Sequence, residues 1–150
     1  MKTIILYLVI IIGILFPDMA ATIMFQKPKA IYLLNPVTEE VIDTVTQSSE
    51  MKNIRKVLIS DDSYEEMNKL ASQKSFLPDI KIEYRGLYVY IDFIFKTALF
   101  QKPTGEYQYL QLTDEANLRI LRSLTRIFPD DEFTKVVYEG NARRLWVDRE

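Results

Sequence analysis

The chain has 150 residues, a formal net charge of −2, and neither cysteine nor histidine. These absences exclude disulfides, thiol catalysis, histidine-based catalytic triads and the commonest zinc ligands. The weakly acidic balance argues against a nucleic-acid-binding protein, which usually carries a basic surplus. We therefore expect no cofactor, no metal ion and no nucleic-acid partner, and we favour a protein that is not an enzyme.

The chain opens with an apolar stretch that begins at Thr3 and carries no charge as far as Phe16. An uncharged run of this length is typical of a secretory signal peptide, here with a cut near Thr22. Extended to Phe25, with Asp18 as its only charged residue, the stretch reaches about 34 Å as a helix and can cross a bilayer. The sequence predicts a signal peptide or a signal-anchor helix, and we favour the anchor because the cleavage signals are poor.

Residues 1–25 form this leader, and residues 26–150 are expected to form one small α+β domain. About 125 residues suffice for one packed domain but not for two. An anchored chain would be a single-pass protein of the cell membrane that holds its domain outside the cytoplasm. Cleavage of the leader would instead release the same domain as a secreted or periplasmic protein.

The first elements of the domain are predicted to be a hairpin and a helix. Residues 31–34 and 41–46 are rich in β-forming side chains and flank a turn, which indicates a hairpin, with a short helix over 39–45 as the alternative. Apolar residues then recur at helical spacing from Met51 to about Ile59. This pattern predicts an amphipathic helix.

A second helix is predicted to begin at Asp62. The Asp62 side chain can accept N–H groups of a first turn, and Glu65 completes the pattern of a capping box. The apolar residues of this helix would be Tyr64, Met67, Leu70 and Ala71. The acidic pair Asp61-Asp62 is therefore expected to cap a helix, and the acidic run at 130–132 to end one, so neither predicts a cation site.

The second half of the domain alternates apolar and polar residues, which is typical of half-buried strands. Strands are predicted over residues 80–85, 87–96 and 107–112, while residues 97–101 either continue the second strand or form another after a bend. Thr113 caps a helix predicted over 114–128, and a final hairpin is predicted over 134–147. The expected fold is α+β: an N-terminal hydrophobic membrane segment, then a mainly antiparallel sheet with helices packed on one face.

Part of this pattern resembles a known group of proteins. A strand led by Pro78-Asp79, an aromatic strand over 87–90 and a tyrosine-rich strand after Gly105 precede a helix that opens at Thr113. Over about residues 48–128 this arrangement is similar to small envelope proteins and lipoproteins of Bacillus-type Gram-positive bacteria. The resemblance implies an envelope location and this fold, without a particular activity. The chain departs from the lipoproteins because it lacks a leader cysteine for lipid attachment.

Tyrosines alternate with apolar residues in two of the predicted strands. If the strands pair in register, the polar side chains share the sheet face that points away from the helices. Tyrosine provides flat apolar area and a hydroxyl at low entropy cost, which suits peptide or glycan binding, although such residues also stabilise a sheet through cross-strand packing. The candidate binding residues on this face are Tyr88, Tyr90, Asp92, Tyr107, Tyr109 and Gln111.

Three arginines follow helical spacing in the predicted helix over 114–128. Arg119, Arg122 and Arg126 lie on one helix face, and Arg143 and Arg144 are expected nearby. This arginine stripe could meet anionic lipid headgroups or an acidic partner. The alternative is the ordinary solvated side of an amphipathic helix.

Three functions are compatible with these features. The first is a non-catalytic interaction domain of the bacterial envelope, held at the membrane by its leader, that binds an unidentified protein or cell-wall ligand. The second is an immunity-type protein that binds and neutralises an envelope-acting toxin. The third is an enzyme based on carboxylates or tyrosines, which would require several acids in one deep pocket.

Overall fold

The computed structural model describes residues 14–67 and 76–129. The apolar run from Thr3 to residue 13, the later part of the helix predicted from Asp62, and the final hairpin over 134–147 lie outside these residues. The described elements, in chain order, are helix α1 (Pro17–Phe25), strands β1 (Ala30–Leu34) and β2 (Val41–Val45), helix α2 (Met51–Leu58), strands β3 (Tyr64–Glu65), β4 (Ile80–Tyr84), β5 (Leu87–Asp92), β6 (Thr97–Gln101) and β7 (Tyr107–Leu112), and helix α3 (Asp114–Ile127).

The seven strands form one antiparallel sheet in the order β2-β1-β4-β5-β6-β7-β3. The α+β class and the antiparallel sheet are therefore confirmed. The hairpin of β1 and β2 is also confirmed, so the alternative helix over 39–45 is wrong. Its turn is held by the Asn35 side chain, whose Oδ1 accepts the N–H groups of Val37 and Thr38 at 2.8 and 3.3 Å.

The strand predicted over 87–96 ends at Asp92, and β6 follows after a reversal of the chain. Asp92 Oδ1 accepts the backbone N–H groups of Ile94 and Phe95, both at 3.1 Å, which folds the chain into a turn. Lys96 adopts a φ of 54° before β6 begins. Of the two alternatives for residues 97–101, the separate strand after a bend is correct.

No helix begins at Asp62, so the capping-box prediction is wrong for residues 62–67. Asp61–Ser63 form a single 3-10 turn, and the next two residues form β3, which pairs with β7. The buried Tyr64 hydroxyl donates to the carbonyl of Leu58, which holds the chain in this path. A local capping pattern is weaker than these tertiary contacts, because burial of an aromatic ring contributes more than a cap.

The hydrophobic core lies between the helices and one face of the sheet. Alternate residues of β4 and β5 are buried there, as their sequence pattern predicts. Helices α2 and α3 pack against each other and bury apolar stripes that include Ile54 and Leu124. Thr113 caps α3 by accepting the N–H of Ala116 at 3.1 Å, as its position before Asp114 predicts.

Helix α1 belongs to the same core, although the sequence places it in the leader. Met19, Ala20 and Ile23 are completely buried in the cluster formed by the sheet and the other helices. Residues before the helix are also held, since Gln108 accepts the N–H of Phe16 at 2.9 Å and donates to the Ile14 carbonyl at 2.8 Å. The core therefore includes residues that precede position 26. None of the helices within 14–67 and 76–129 combines the length and apolar character that a bilayer span requires.

Candidate functional site: a tyrosine-rich sheet face

The structure brings the four predicted tyrosines onto one sheet face. Strand β6 lies between β5 and β7, so the tyrosines form rows across three strands instead of pairing directly. Tyr88 and Tyr107 share a row through Gln101, and Tyr90 and Tyr109 share the next row through Leu99. Tyr107 is 58% exposed and Tyr109 41% exposed, whereas Tyr88 and Tyr90 are half-buried. We call this surface the tyrosine face.

Asp92 and Gln111 occupy a third row, together with Thr97, but both are buried. Besides its two bonds in the turn, Asp92 accepts the N–H of Leu77 at 3.1 Å. Gln111 Nε2 donates to the carbonyls of Phe95 and Lys96 at 2.8 and 3.0 Å. Both side chains thus hold the β5–β6 connection in place, and the structure does not bring them to the binding surface.

Two residues of this face were missed by the sequence analysis. Lys81 Nζ lies 4.5 Å from the ring centre of Tyr88 and 5.7 Å from those of Tyr32 and Tyr90. Tyr32 reaches the group because β1 pairs with β4 across a long stretch of sequence. The alternation in β4 shows that Lys81 faces outward, but no local pattern shows that three tyrosine rings surround its ammonium group. This arrangement is a cation–π cluster.

A second aromatic group borders the exposed tyrosines. Tyr107 and Tyr109 meet edge to face with ring centres 5.6 Å apart, and Phe76 meets Tyr109 in the same way at 5.5 Å. Edge-to-face pairs restrain the rings and favour one orientation. The exposed tyrosines are therefore held in position before any ligand arrives.

A cavity of about 360 Å³ opens on the tyrosine face. Its apolar lining residues are Leu34, Val41, Phe76, Pro78 and Leu99, and its polar ones are Glu39, Lys81, Tyr90 and Gln101. Glu39 adopts a φ of 63°, in the left-handed region that few non-glycine residues occupy. The cavity falls within the size range of small-ligand sites and combines apolar walls with a few polar groups.

Two phenols of this face, those of Tyr32 and Tyr90, have a raised pKa. The Tyr32 hydroxyl donates to Glu83 Oε1 at 2.8 Å, and this bond, followed by burial and the Glu83 charge, raises the pKa of Tyr32. Burial, with smaller contributions from Tyr88 and Glu39, raises the pKa of Tyr90. Both hydroxyls therefore stay protonated. Glu39 is the only carboxylate among the cavity residues that the structure describes.

The arginine stripe lies on the outer side of the helix layer, away from the tyrosine face. Arg119, Arg122 and Arg126 line a small cavity of about 220 Å³ between α2 and α3. Arg126 also forms an ion pair with Glu50, with Nη1 and Oε1 3.3 Å apart. The structure thus groups the three arginines, while Arg143 and Arg144 lie outside the described residues. Among the described side chains, no group of three metal-binding residues occurs.

Comparison with protein-family models, curated proteins and solved structures gives no match for this chain. The geometry of the two surfaces is therefore the basis for assigning a function.

Proposed function

We propose that this chain is a non-catalytic interaction domain of the bacterial cell envelope, which binds a partner protein through its tyrosine face. The observation that carries the proposal is the combination on one sheet face of five tyrosines, a lysine between three of their rings, and an apolar cavity. The resemblance to small Bacillus-type envelope proteins supports the same location.

The exposed tyrosines suit protein recognition. Tyrosine buries a large area with few rotatable bonds, and its hydroxyl forms hydrogen bonds at the rim of an interface. The rings of Tyr107 and Tyr109 are already restrained by their edge-to-face contacts, so binding costs little additional entropy. The central residues of protein interfaces, which contribute most of the binding energy, are typically aromatic side chains held in this way.

The cavity favours a peptide segment over a glycan. Five of its nine lining residues are apolar, which matches a bulky apolar side chain better than a sugar ring with its hydroxyl groups. Lys81, Tyr90 and Gln101 stand around these apolar walls and can orient the peptide backbone or a neighbouring acidic side chain. We therefore propose an apolar anchor residue of the partner in this cavity.

The buried position of α1 argues against cleavage of the leader near Thr22. Cleavage near Thr22 would remove Met19 and Ala20, both completely buried, from the folded domain. Retention of these side chains requires that the chain is not cut at this position. We therefore propose that the mature chain keeps helix α1 as part of its folded domain.

The proposal is tested by panning a displayed peptide library against the full chain in maltoside micelles. We expect enriched peptides with a conserved bulky apolar residue, whose affinity falls at least about tenfold in Val41→Gln and in Tyr109→Ser. Val41 lines the cavity, and Tyr109 is an exposed tyrosine that contacts the lining residue Phe76. Both side chains lie at the surface, so the fold should tolerate these substitutions. The matched control is Leu118→Gln, an exposed apolar residue of α3, which should leave the affinity unchanged.

Three results would distinguish the alternatives. Equal binding by all variants would contradict a site on the tyrosine face. Enrichment of glycans on an array, with the same sensitivity to Tyr109→Ser, would keep the face but replace the partner class. Isolation of an envelope-acting toxin that depends on the same residues would make the domain an immunity-type protein.

A further inference from the structure

A larger cavity, of about 530 Å³, lies beside helix α2 and shares no residue with the cavity on the tyrosine face. Three cationic side chains line it, Lys27 from the α1–β1 connection and Lys52 and Arg55 from α2. Hydroxyl and amide side chains from residues 46–49 of the β2–α2 connection complete the polar lining. Cations from two separate segments of the chain thus converge on one space.

No carboxylate side chain belongs to the lining that the structure describes. The nearest acid in sequence is Glu50, which stands between two lining residues. Its carboxylate turns to the other side of α2, where Oε2 accepts from Asn53 Nδ2 at 2.9 Å and Oε1 lies 3.3 Å from Arg126 Nη1. The hydrogen bond from Asn53 is the main cause that lowers the pKa of Glu50. The Glu50 carboxylate is therefore ionised and interacts with Asn53 and Arg126, outside the cavity.

Among the residues that the structure describes, no acidic side chain forms an ion pair with the cations of this cavity, Lys27, Lys52 and Arg55. Positive charges in a concave site concentrate the potential and attract anions. This local excess is notable in a chain whose net charge is −2.

We propose that this cavity binds a phosphate group carried by a small polyol or a lipid headgroup. A phosphate monoester carries a charge near −2 and three acceptor oxygens, which suits several convergent cations. The Arg55 guanidinium can donate two parallel hydrogen bonds to phosphate oxygens, while each lysine contributes a point charge. The remaining space, bordered by Pro28, Met51 and the hydroxyl side chains, accommodates the attached polyol.

Isothermal titration calorimetry of the full chain in maltoside micelles tests this site, with inorganic phosphate, glycerol phosphate and dihexanoylphosphatidylglycerol as probes. We expect saturable binding of at least one organic phosphate, weakened at least about tenfold by Lys52→Gln and by Lys27→Gln. The matched control is Lys56→Gln, which removes the same charge from the same helix at an exposed position outside the cavity. This control should bind as the unaltered chain does.

The outcomes separate the two sources of phosphate. Glycerol phosphate binding that depends on Lys27 and Lys52 supports the site with a soluble phosphate ester as ligand. Binding of the phospholipid alone, with the same dependence, supports it with a lipid headgroup as ligand. Absence of binding by every probe overturns the proposal, and so does an equal loss in Lys56→Gln, which would indicate a diffuse charge effect. Failure here leaves the tyrosine face unaffected, because the two sites share no residue.

Discussion

Substitution of Met19 by alanine tests the finding that helix α1 belongs to the domain core. The Met19 side chain is completely buried, whereas Phe25, on the same helix, is 74% exposed. Burial of a methionine side chain contributes about 1.5–3 kcal/mol, and the cavity left by its removal adds to the cost. We therefore expect Met19→Ala to lower the free energy of unfolding by about 2–5 kcal/mol, and Phe25→Ala to change it by about 0.5 kcal/mol or less.

The measurement is urea unfolding of the full chain in maltoside micelles, followed by far-ultraviolet circular dichroism. Alanine is the best helix former, so neither substitution weakens α1 through its intrinsic propensity. A typical domain has a free energy of unfolding of about 5–15 kcal/mol, and the expected loss is therefore large. Equal midpoints for the two variants would refute the packing of α1 and would favour its assignment to a membrane segment.

Three further predictions concern the sheet. Asp92→Ala leaves three backbone N–H groups without their acceptor and should lower the free energy of unfolding by at least about 3 kcal/mol in urea; Asp92→Asn keeps one acceptor oxygen and should cost less, and an equal loss would contradict this role. Gly86 has a φ of +84° and open space for a Cβ, so Gly86→Ala should cost only about 1–2 kcal/mol from backbone conformation, and a much larger loss would point to a clash. Burial raises the pKa of Tyr84 above its ordinary 10.0, so the Tyr84 hydroxyl loses its proton in the unfolded chain first and the free energy of unfolding should fall as pH rises above about 10. Tyr84→Phe should reduce this fall in urea titrations between about pH 8 and 11. An unchanged dependence of the free energy of unfolding on pH in this variant would contradict the role of Tyr84.

The sequence by itself determined the local elements of this protein. The alternation of Ile80, Ile82 and Tyr84 with polar residues predicts β4 because successive side chains of a strand point to opposite faces. The same period places Tyr88 and Tyr90 on one face of β5 without knowledge of its neighbours. Thr113 before two acids likewise predicts the start of α3, because a cap acts within a single turn.

Only the tertiary structure decided which of these residues meet. Tyr32 and Glu83 are 51 positions apart and bond because β1 pairs with β4, and this pairing also brings Tyr32 to Lys81. The alternation of apolar and polar residues in β5 predicts an exposed side chain at Asp92, yet the turn that follows Asp92 covers its carboxylate.

The N-terminal segment is the clearest case in which the sequence does not determine where apolar residues are buried. Its apolar character predicts removal from water, but a membrane and a protein core satisfy that requirement equally. The sheet and helix α2 provide the core that buries Met19 and Ile23. Strand order and the choice of apolar environment depend on contacts between distant residues, and these contacts leave no periodic signal in the sequence.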